Sequence, residues 1–212
     1  MSAPFQHQFP REEFDYQALL DALKAYARPR DKISDLLRKG VIIRVKKGLY
    51  ILGEQYRRHP YSREYLANLI HGPSYISMDF ALQHYGMIPE RVEAVTSVTT
   101  GRSKRFMTPL GLFVYRNLPL PLFQIGMTRI EIDADTAFLM ATPEKALCDK
   151  IRDDRGVAWR GLKDVRRHLI EDLRMEEKAL ADLNPDHIAD IARRGASGKL
   201  RRLHAFIAQL KR

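Results

Sequence analysis

Arg28-Pro29-Arg30-Asp31-Lys32-Ile33-Ser34-Asp35-Leu36-Leu37-Arg38-Lys39-Gly40-Val41-Ile42-Ile43-Arg44-Val45-Lys46-Lys47-Gly48-Leu49-Tyr50-Ile51-Leu52 decides how the front of this chain folds. Pro29 pre-sets a helical backbone angle, Asp31 offers an acceptor to the first turn, and Ile33, Leu36 and Leu37 recur at the spacing of one apolar helix face. Gly40 ends that helix. Residues 42–45 and 49–52 are β-branched or apolar runs joined by Lys46-Lys47-Gly48, whose glycine can take the positive φ of a bulged hairpin. Helix, stop and basic-tipped hairpin follow one another. That is the plan of a winged helix, in which one helix enters a DNA groove and the hairpin lies on neighbouring phosphates.

Working outward, the charge is concentrated in the same place. Residues 28–58 hold ten Lys or Arg against three acids, +7 of the chain's +10, while the other 181 residues carry only +3. A local basic excess suits a polyanion, because each neutralised phosphate releases counterions. Arg28, Arg30, Lys32, Ser34 and Arg38 are the candidates on the helix, with Arg30, Lys32 and Ser34 at the end that would meet base edges or backbone. Arg44, Lys46 and Lys47 are the candidates for phosphate. Asp31 and Asp35 lie on the same helix surface, the first suited to capping and the second to pairing with Arg38 or Lys39.

Upstream, residues up to 14 are polar and broken by Pro4 and Pro10, which predicts an extended lead-in. Tyr16, Leu19, Leu20 and Leu23 predict a helix over 15–27 capped by Asp15. Units of this kind carry one more helix in front. Here it is either dispensed with or supplied from elsewhere in the chain.

A polar link at 54–60 divides the chain into a domain at 1–58 and another at 59–212. Ser62 predicts a helix to His71, stopped by Gly72-Pro73, and Ser77 caps another over 78–85, closed by Gly86. From Val92 the period shortens. Residues 92–99, 106–107, 112–115, 123–125, 129–132 and 138–140 read as strands, with turns at 100–103 and 108–111. Thr142-Pro143-Glu144 combines an N-cap, a proline at the first helical position and an early acid. Beyond Asp153 the pattern is helical, with starts near Gly161, Asn184-Pro185 and Ser197, and fifteen positive against ten negative residues over 152–212. The fold class is therefore α+β, a winged helix-turn-helix followed by a mixed α/β domain with a helical tail.

Composition narrows the chemistry. Apolar content of 45% suffices for a core, and no apolar run approaches the ~18 residues of a membrane helix. The first ten residues lack the charged-then-apolar order of a signal peptide, and a single cysteine, Cys148, suits a reducing compartment, so a cytoplasmic location is expected. The seven histidines show no metal-ligand spacing and there is no Gly-rich phosphate loop, so no cofactor, metal or catalytic residue is expected. A metal-dependent nuclease would have to use Glu131, Asp133 and Asp135, which alternate along or just beyond one strand as solvated acids do. Cys148 beside Asp149 fits a buried thiol better than a nucleophile. Arg102, Lys104 and Arg105 form the one basic turn in a segment, 59–151, with nine charges of each sign, and are candidates for a second nucleic-acid contact.

Longer matches of pattern run through the chain. Phe14-Asp15-Tyr16-Gln17, Pro29-Arg30-Asp31-Lys32-Ile33 and Ile43-Arg44-Val45-Lys46-Lys47-Gly48-Leu49-Tyr50 resemble the winged-helix half of AbiEi-type antitoxins. Ser74-Tyr75-Ile76-Ser77, Tyr85-Gly86-Met87-Ile88-Pro89-Glu90, Val95-Thr96-Ser97-Val98-Thr99-Thr100 and Ala141-Thr142-Pro143-Glu144-Lys145-Ala146-Leu147 are similar to that family's C-terminal domain. The resemblance spans residues 14–151. It implies an antitoxin of a bacterial abortive-infection system: promoter DNA repeats bound by the first domain, autorepression, and a second domain that counteracts a nucleotidyltransferase-like toxin. The alternative is a stand-alone DNA-binding regulator whose second domain senses a ligand or dimerises.

Overall fold

In the computed structural model, residues 5–134 and 136–211 are described. The described residues begin with a 3-10 turn, Phe5–Gln8, then β1 (Glu13–Asp15), α1 (Tyr16–Ala22), α2 (Pro29–Arg38), β2 (Ile42–Lys46) and β3 (Leu49–Leu52). Asp15 caps α1 by accepting from the Ala18 amide at 2.8 Å, as its sequence position predicts. The helix is shorter than the 15–27 expected, ending at Ala22. Gly40 (φ +67°) and Gly48 (φ +87°) take the left-handed backbone that the helix stop and the hairpin turn require.

The lead-in is more structured than expected. β1 pairs antiparallel with β3, making a three-stranded sheet of order β1-β3-β2. Phe9 stacks on Phe14 at 3.9 Å between ring centroids. The core of this unit is drawn from Phe9, Phe14, Leu19, Leu23, Ile33, Leu36, Tyr50 and their neighbours, with Phe5 and Tyr56 packed on its border. No helix from the rest of the chain enters this core among the described residues, while α3 (Arg63–Ile70) packs on the other face of the hairpin through Leu66 and Ile70.

The remainder comprises α3 (Arg63–Ile70), β4 (Ser74–Ile76), α4 (Met78–His84), β5 (Val95–Thr99), β6 (Lys104–Thr108), β7 (Gly111–Asn117), α5 (Leu120–Phe123), β8 (Met127–Glu131), β9 (Ala137–Ala141), α6 (Pro143–Asp153), α7 (Leu162–Arg166), a π-helical turn (Arg167–Asp172), α8 (Glu177–Ala181), α9 (Pro185–Arg194) and α10 (Gly198–Leu210). Its sheet has the order β6-β7-β5-β4-β9-β8, with β4/β9 and β5/β7 parallel and the other pairs antiparallel. Ser62, Thr142, Asn184 and Ser197 cap α3, α6, α9 and α10 with their own side chains. The strand expected at 123–125 is not one. Phe123 closes the short helix α5, because Pro119 and Pro121 set helical φ values ahead of it. Residues 92–94 also stay outside β5.

Alternation across the sheet places two helical layers. Tyr75 pairs with Val98, and Ser97 pairs with both Ile76 and Tyr115, so Tyr75 points to one face while Ile76 and Tyr115 share the other. The Tyr115 hydroxyl donates to the Ala67 carbonyl of α3, whereas the Tyr75 ring faces Lys145 of α6, whose ammonium is 5.7 Å from its centroid. β4 is accordingly buried on both sides.

Lys145 is the least expected core residue. It is wholly buried and bonded through its ammonium to the Asp149 carboxylate one turn on, and Asp149 also accepts from the Ser77 hydroxyl at 2.8 Å. Burial pushes the Asp149 carboxyl up, against the pull of Lys145 and of the Ser77 hydroxyl. Ser77 stands at the cap position of α4, as its sequence suggests, but its hydroxyl is committed to Asp149. Thr96 of β5 supplies the cap instead, accepting from the Phe80 amide at 3.1 Å and donating to the Ser77 carbonyl at 2.7 Å.

Gly126 (φ +68°) lies against the lysine stem. A β-carbon there would sit 2.8 Å from Lys145 Cβ and 3.0 Å from Cγ, and the stem cannot yield because its far end is held by Asp149. Gly126→Ala should therefore cost about 1–3 kcal/mol from overpacking and left-handed strain together. Urea unfolding checks this, and a midpoint unmoved by the substitution would show that the stem relaxes freely.

Candidate nucleic-acid interface

The hairpin is held between two cores. β3 is buried along its whole length: Tyr50 and Leu52 face the small N-terminal core, while Leu49 and Ile51 join Val45 in the large one. The two parts of the chain therefore meet across the hairpin, and the 54–60 link runs beside a packed contact. Arg58 secures that link. Its side chain donates to the buried Glu12 carboxylate at 2.9 Å and to the Phe9 carbonyl at 3.1 Å. Arg57 pairs with Glu54 at 3.3 Å and lies over the Tyr61 ring. Two of the ten cations of the basic stretch thus serve structure.

On α2 the cations divide by partner. Asp35 gathers three of them, with Arg38 at 2.8 Å, Lys39 at 2.9 Å and Lys32 at 3.9 Å. Hydrogen bonds from Lys39 and Arg38 hold its carboxyl down to about 2. Lys32 also lies over the Tyr26 ring, 5.1 Å from its centroid. Arg28 approaches Asp31 at 3.9 Å with both side chains largely in solvent, a pairing worth little. Ser34 turns its hydroxyl back onto the Arg30 carbonyl at 3.2 Å. Arg30 is exposed and forms no ion pair with a described residue.

The hairpin separates Arg44 from Lys46. On a regular strand these alternate residues would share a face, but the ladder shifts register between them, so that Arg44 opposes Tyr50 and Lys46 opposes Leu49. The bulge turns Lys46 to the side of the large core. Its ammonium donates to the Ile70 carbonyl at the end of α3, and burial together with the Lys104 charge lowers its pKa. Arg44 and Lys47 remain exposed, without an ion pair to a described residue.

Lys46 also brings the two predicted basic regions together. Its neighbour Lys104 opens β6 directly after the turn that holds Arg102. His71 packs edge-on against Tyr115 at 5.1 Å in the same place. Its imidazole is pushed below the usual value by burial and by the charges of Lys104 and Lys46. Arg102, Lys104 and Arg105 are all exposed. Sequence reasoning treated this turn as separate from the hairpin; the fold sets it beside Lys46. The signal it missed is β-sheet order, since residues 46 and 104 are distant in the chain.

The acids weighed for metal chemistry do not converge. Glu131 pairs with Arg129 on β8, Asp133 lies near Glu13, and Asp135 lies outside the described residues. Among the described residues no group of three His, Cys, Asp or Glu side chains is placed to hold a metal ion. Cys148 is buried, and burial pushes its thiol pKa well up, with the Asp149 charge adding to the effect and Lys145 opposing it, which leaves it unsuited to nucleophilic attack. No described helix is long and apolar enough to cross a membrane.

If α2 approaches a polyanion, Asp35 is the local obstacle, repelling phosphate and occupying three cations. Asp35→Asn should then strengthen DNA binding by about three- to tenfold and steepen its salt dependence, because Lys32, Arg38 and Lys39 become available. Fluorescence anisotropy at several salt concentrations measures both quantities. Weaker or unchanged binding would place α2 away from the duplex. No protein-family model and no curated protein matches the chain.

Proposed function

We propose that this chain is a DNA-binding autorepressor and antitoxin, residues 1–58 a winged helix that grips promoter DNA and residues 59–212 the antitoxin domain. The observation that carries the DNA reading is the exposure of Arg28, Arg30, Arg38, Arg44 and Lys47 on α2 and the hairpin, with the exposed Arg102, Lys104 and Arg105 reaching the hairpin through the Lys104–Lys46 interaction. Support for the winged-helix reading comes from β1, α1, α2 and a bulged, basic-tipped hairpin in one small sheet-and-helix unit. The antitoxin reading rests on the resemblance of residues 14–151 to AbiEi-type proteins, and its toxin partner would be a nucleotidyltransferase-like protein encoded alongside.

The test has two arms. Anisotropy of the whole chain with the duplex upstream of its own gene, against scrambled duplex, should show a preference that persists at physiological salt. Co-expression with the neighbouring gene should restore growth if that gene encodes a toxin. Equal, weak affinity for both duplexes would overturn the regulator; failure to rescue a toxic neighbour would overturn the antitoxin. The second reading, a regulator whose larger domain senses a ligand, is favoured by an arginine-walled cavity in that domain.

A further inference from the structure

The turn between β5 and β6, the end of β7 and the last turn of α6 enclose an open cavity of about 600 Å³, walled by Ser103, Arg116, Asn117, Arg152, Asp153 and Arg155. Three guanidiniums face one carboxylate, an excess of two positive charges in one concavity. Asp153 is paired with Arg116, Oδ2 to Nε at 3.1 Å, which leaves the two terminal amino groups of that fork to donate elsewhere. Arg152 and Arg155 are exposed and form no ion pair with a described residue.

Hydrogen bonds tie two of the walling residues together. Asn117 donates its carboxamide to the Thr100 and Gly101 carbonyls at 3.2 and 2.8 Å, and its amide to the Ser103 hydroxyl oxygen at 2.9 Å. Ser103 thus accepts one bond and keeps its own proton to donate.

Arg152 has an ordinary explanation. It stands in the last turn of α6, where a cation offsets the helix dipole, and its charge also reaches buried Asp149. That account does not extend to Arg116, which comes from β7, or to Arg155, which lies past the helix end. Guanidiniums drawn around one hollow repel one another unless an anion joins them. Arg is the side chain whose donor fork matches phosphate oxygens in pairs.

We propose that this cavity binds the polyphosphate of a free nucleoside di- or triphosphate. Its volume lies within the range of about 300–1,000 Å³ typical of small-ligand sites. The concave wall favours a compact, multiply charged group over a duplex, whose phosphates are singly charged and strung along a convex rail. None of the walling residues is aromatic, so recognition rests on the phosphates and not on the base. Its three arginines, Arg116, Arg152 and Arg155, lie outside the residues assigned to duplex binding, and only Ser103 adjoins them, between Arg102 and Lys104.

Titration calorimetry of the full chain with ATP, GTP and inorganic pyrophosphate tests this. The expected result is one site per chain, the three ligands alike to within about fivefold, and binding weakened at least about tenfold by Arg155→Ala. The same ligands should raise the melting temperature of the parent chain but not of the variant. Arg155 is exposed, so the unliganded variant should melt with the parent; Arg152→Gln provides a second variant with the same expected loss. No binding at millimolar ligand, binding unaffected by both substitutions, or a strong preference for one base would each overturn the proposal. So would a loss of duplex affinity in Arg155→Ala with nucleotide binding intact, which would assign these arginines to the DNA path.

Discussion

Lys145→Ala should remove about 3–5 kcal/mol of stability, the cost of leaving one member of a buried ion pair without its partner. The side chain is wholly buried, its stem against Gly126 and its ammonium between the Tyr75 ring and the Asp149 carboxylate, and Asp149 is only 4% exposed. With the lysine gone, Asp149 keeps a single donor, Ser77, in surroundings that already oppose its ionisation. Asp149→Ala should be similarly severe, because it strands a wholly buried cation and releases the Ser77 hydroxyl as well. Changing both residues to apolar ones of like size, Lys145→Met with Asp149→Leu, should recover most of either loss, since no buried charge then remains. Urea unfolding of the three variants measures these losses. If the single changes cost no more than the double one, the pair contributes nothing by its mutual interaction, and the network around Ser77 owes its order to packing alone.

That pair shows where sequence reading ran out. Thr142-Pro143-Glu144 was legible as a helix start because capping is a local bargain among adjacent residues, and the same holds for Ser62, Asn184-Pro185, Ser197, Gly40 and Gly48. Lys145 and Asp149 stand one turn apart, and that spacing ordinarily marks a solvated ion pair. Only the packing of α6 against α4, α9, α10 and β9 buries every residue from 145 to 149 and reverses the reading. Lys46 failed for a similar reason. Charge alone grouped it with Arg44 and Lys47 as a phosphate contact, and only the register of β2 against β3 turns it to the side of the large core. Phe123-Gln124-Ile125 looked like a strand because β-branched and aromatic residues dominate it, whereas the two prolines ahead had already set a helical turn. The arginine cavity was beyond reach altogether, since Ser103, Arg116 and Arg155 converge only through sheet order and the path of α6. Local chemistry was readable; what distant segments do to one another was not.

The hairpin supplies the second large effect. Replacing Arg30, Arg44 and Lys47 together by alanine should weaken DNA binding by about 30- to 1,000-fold at moderate salt and flatten the slope of log affinity against log salt by about 2.7, the loss of three phosphate neutralisations at about 0.9 each. All three are exposed and none forms an ion pair with a described residue, so their removal should leave the fold and its melting temperature close to the parent's. Lys46→Ala is the internal contrast. Its ammonium is already bonded to the Ile70 carbonyl and partly desolvated beside Lys104, so releasing counterions from DNA is not its task. Lys46→Ala should therefore lower stability where the hairpin meets α3, while changing the salt slope by less than about 0.3. Within one basic hairpin the two neighbours Lys46 and Lys47 thus have opposite signatures, one read by urea and the other by salt. A triple variant that binds duplex as tightly as the parent would remove DNA from the surface of α2 and the hairpin. A salt slope that falls by a full unit in Lys46→Ala would mean instead that the contact with α3 opens when the duplex arrives and that Lys46 changes partner from carbonyl to phosphate.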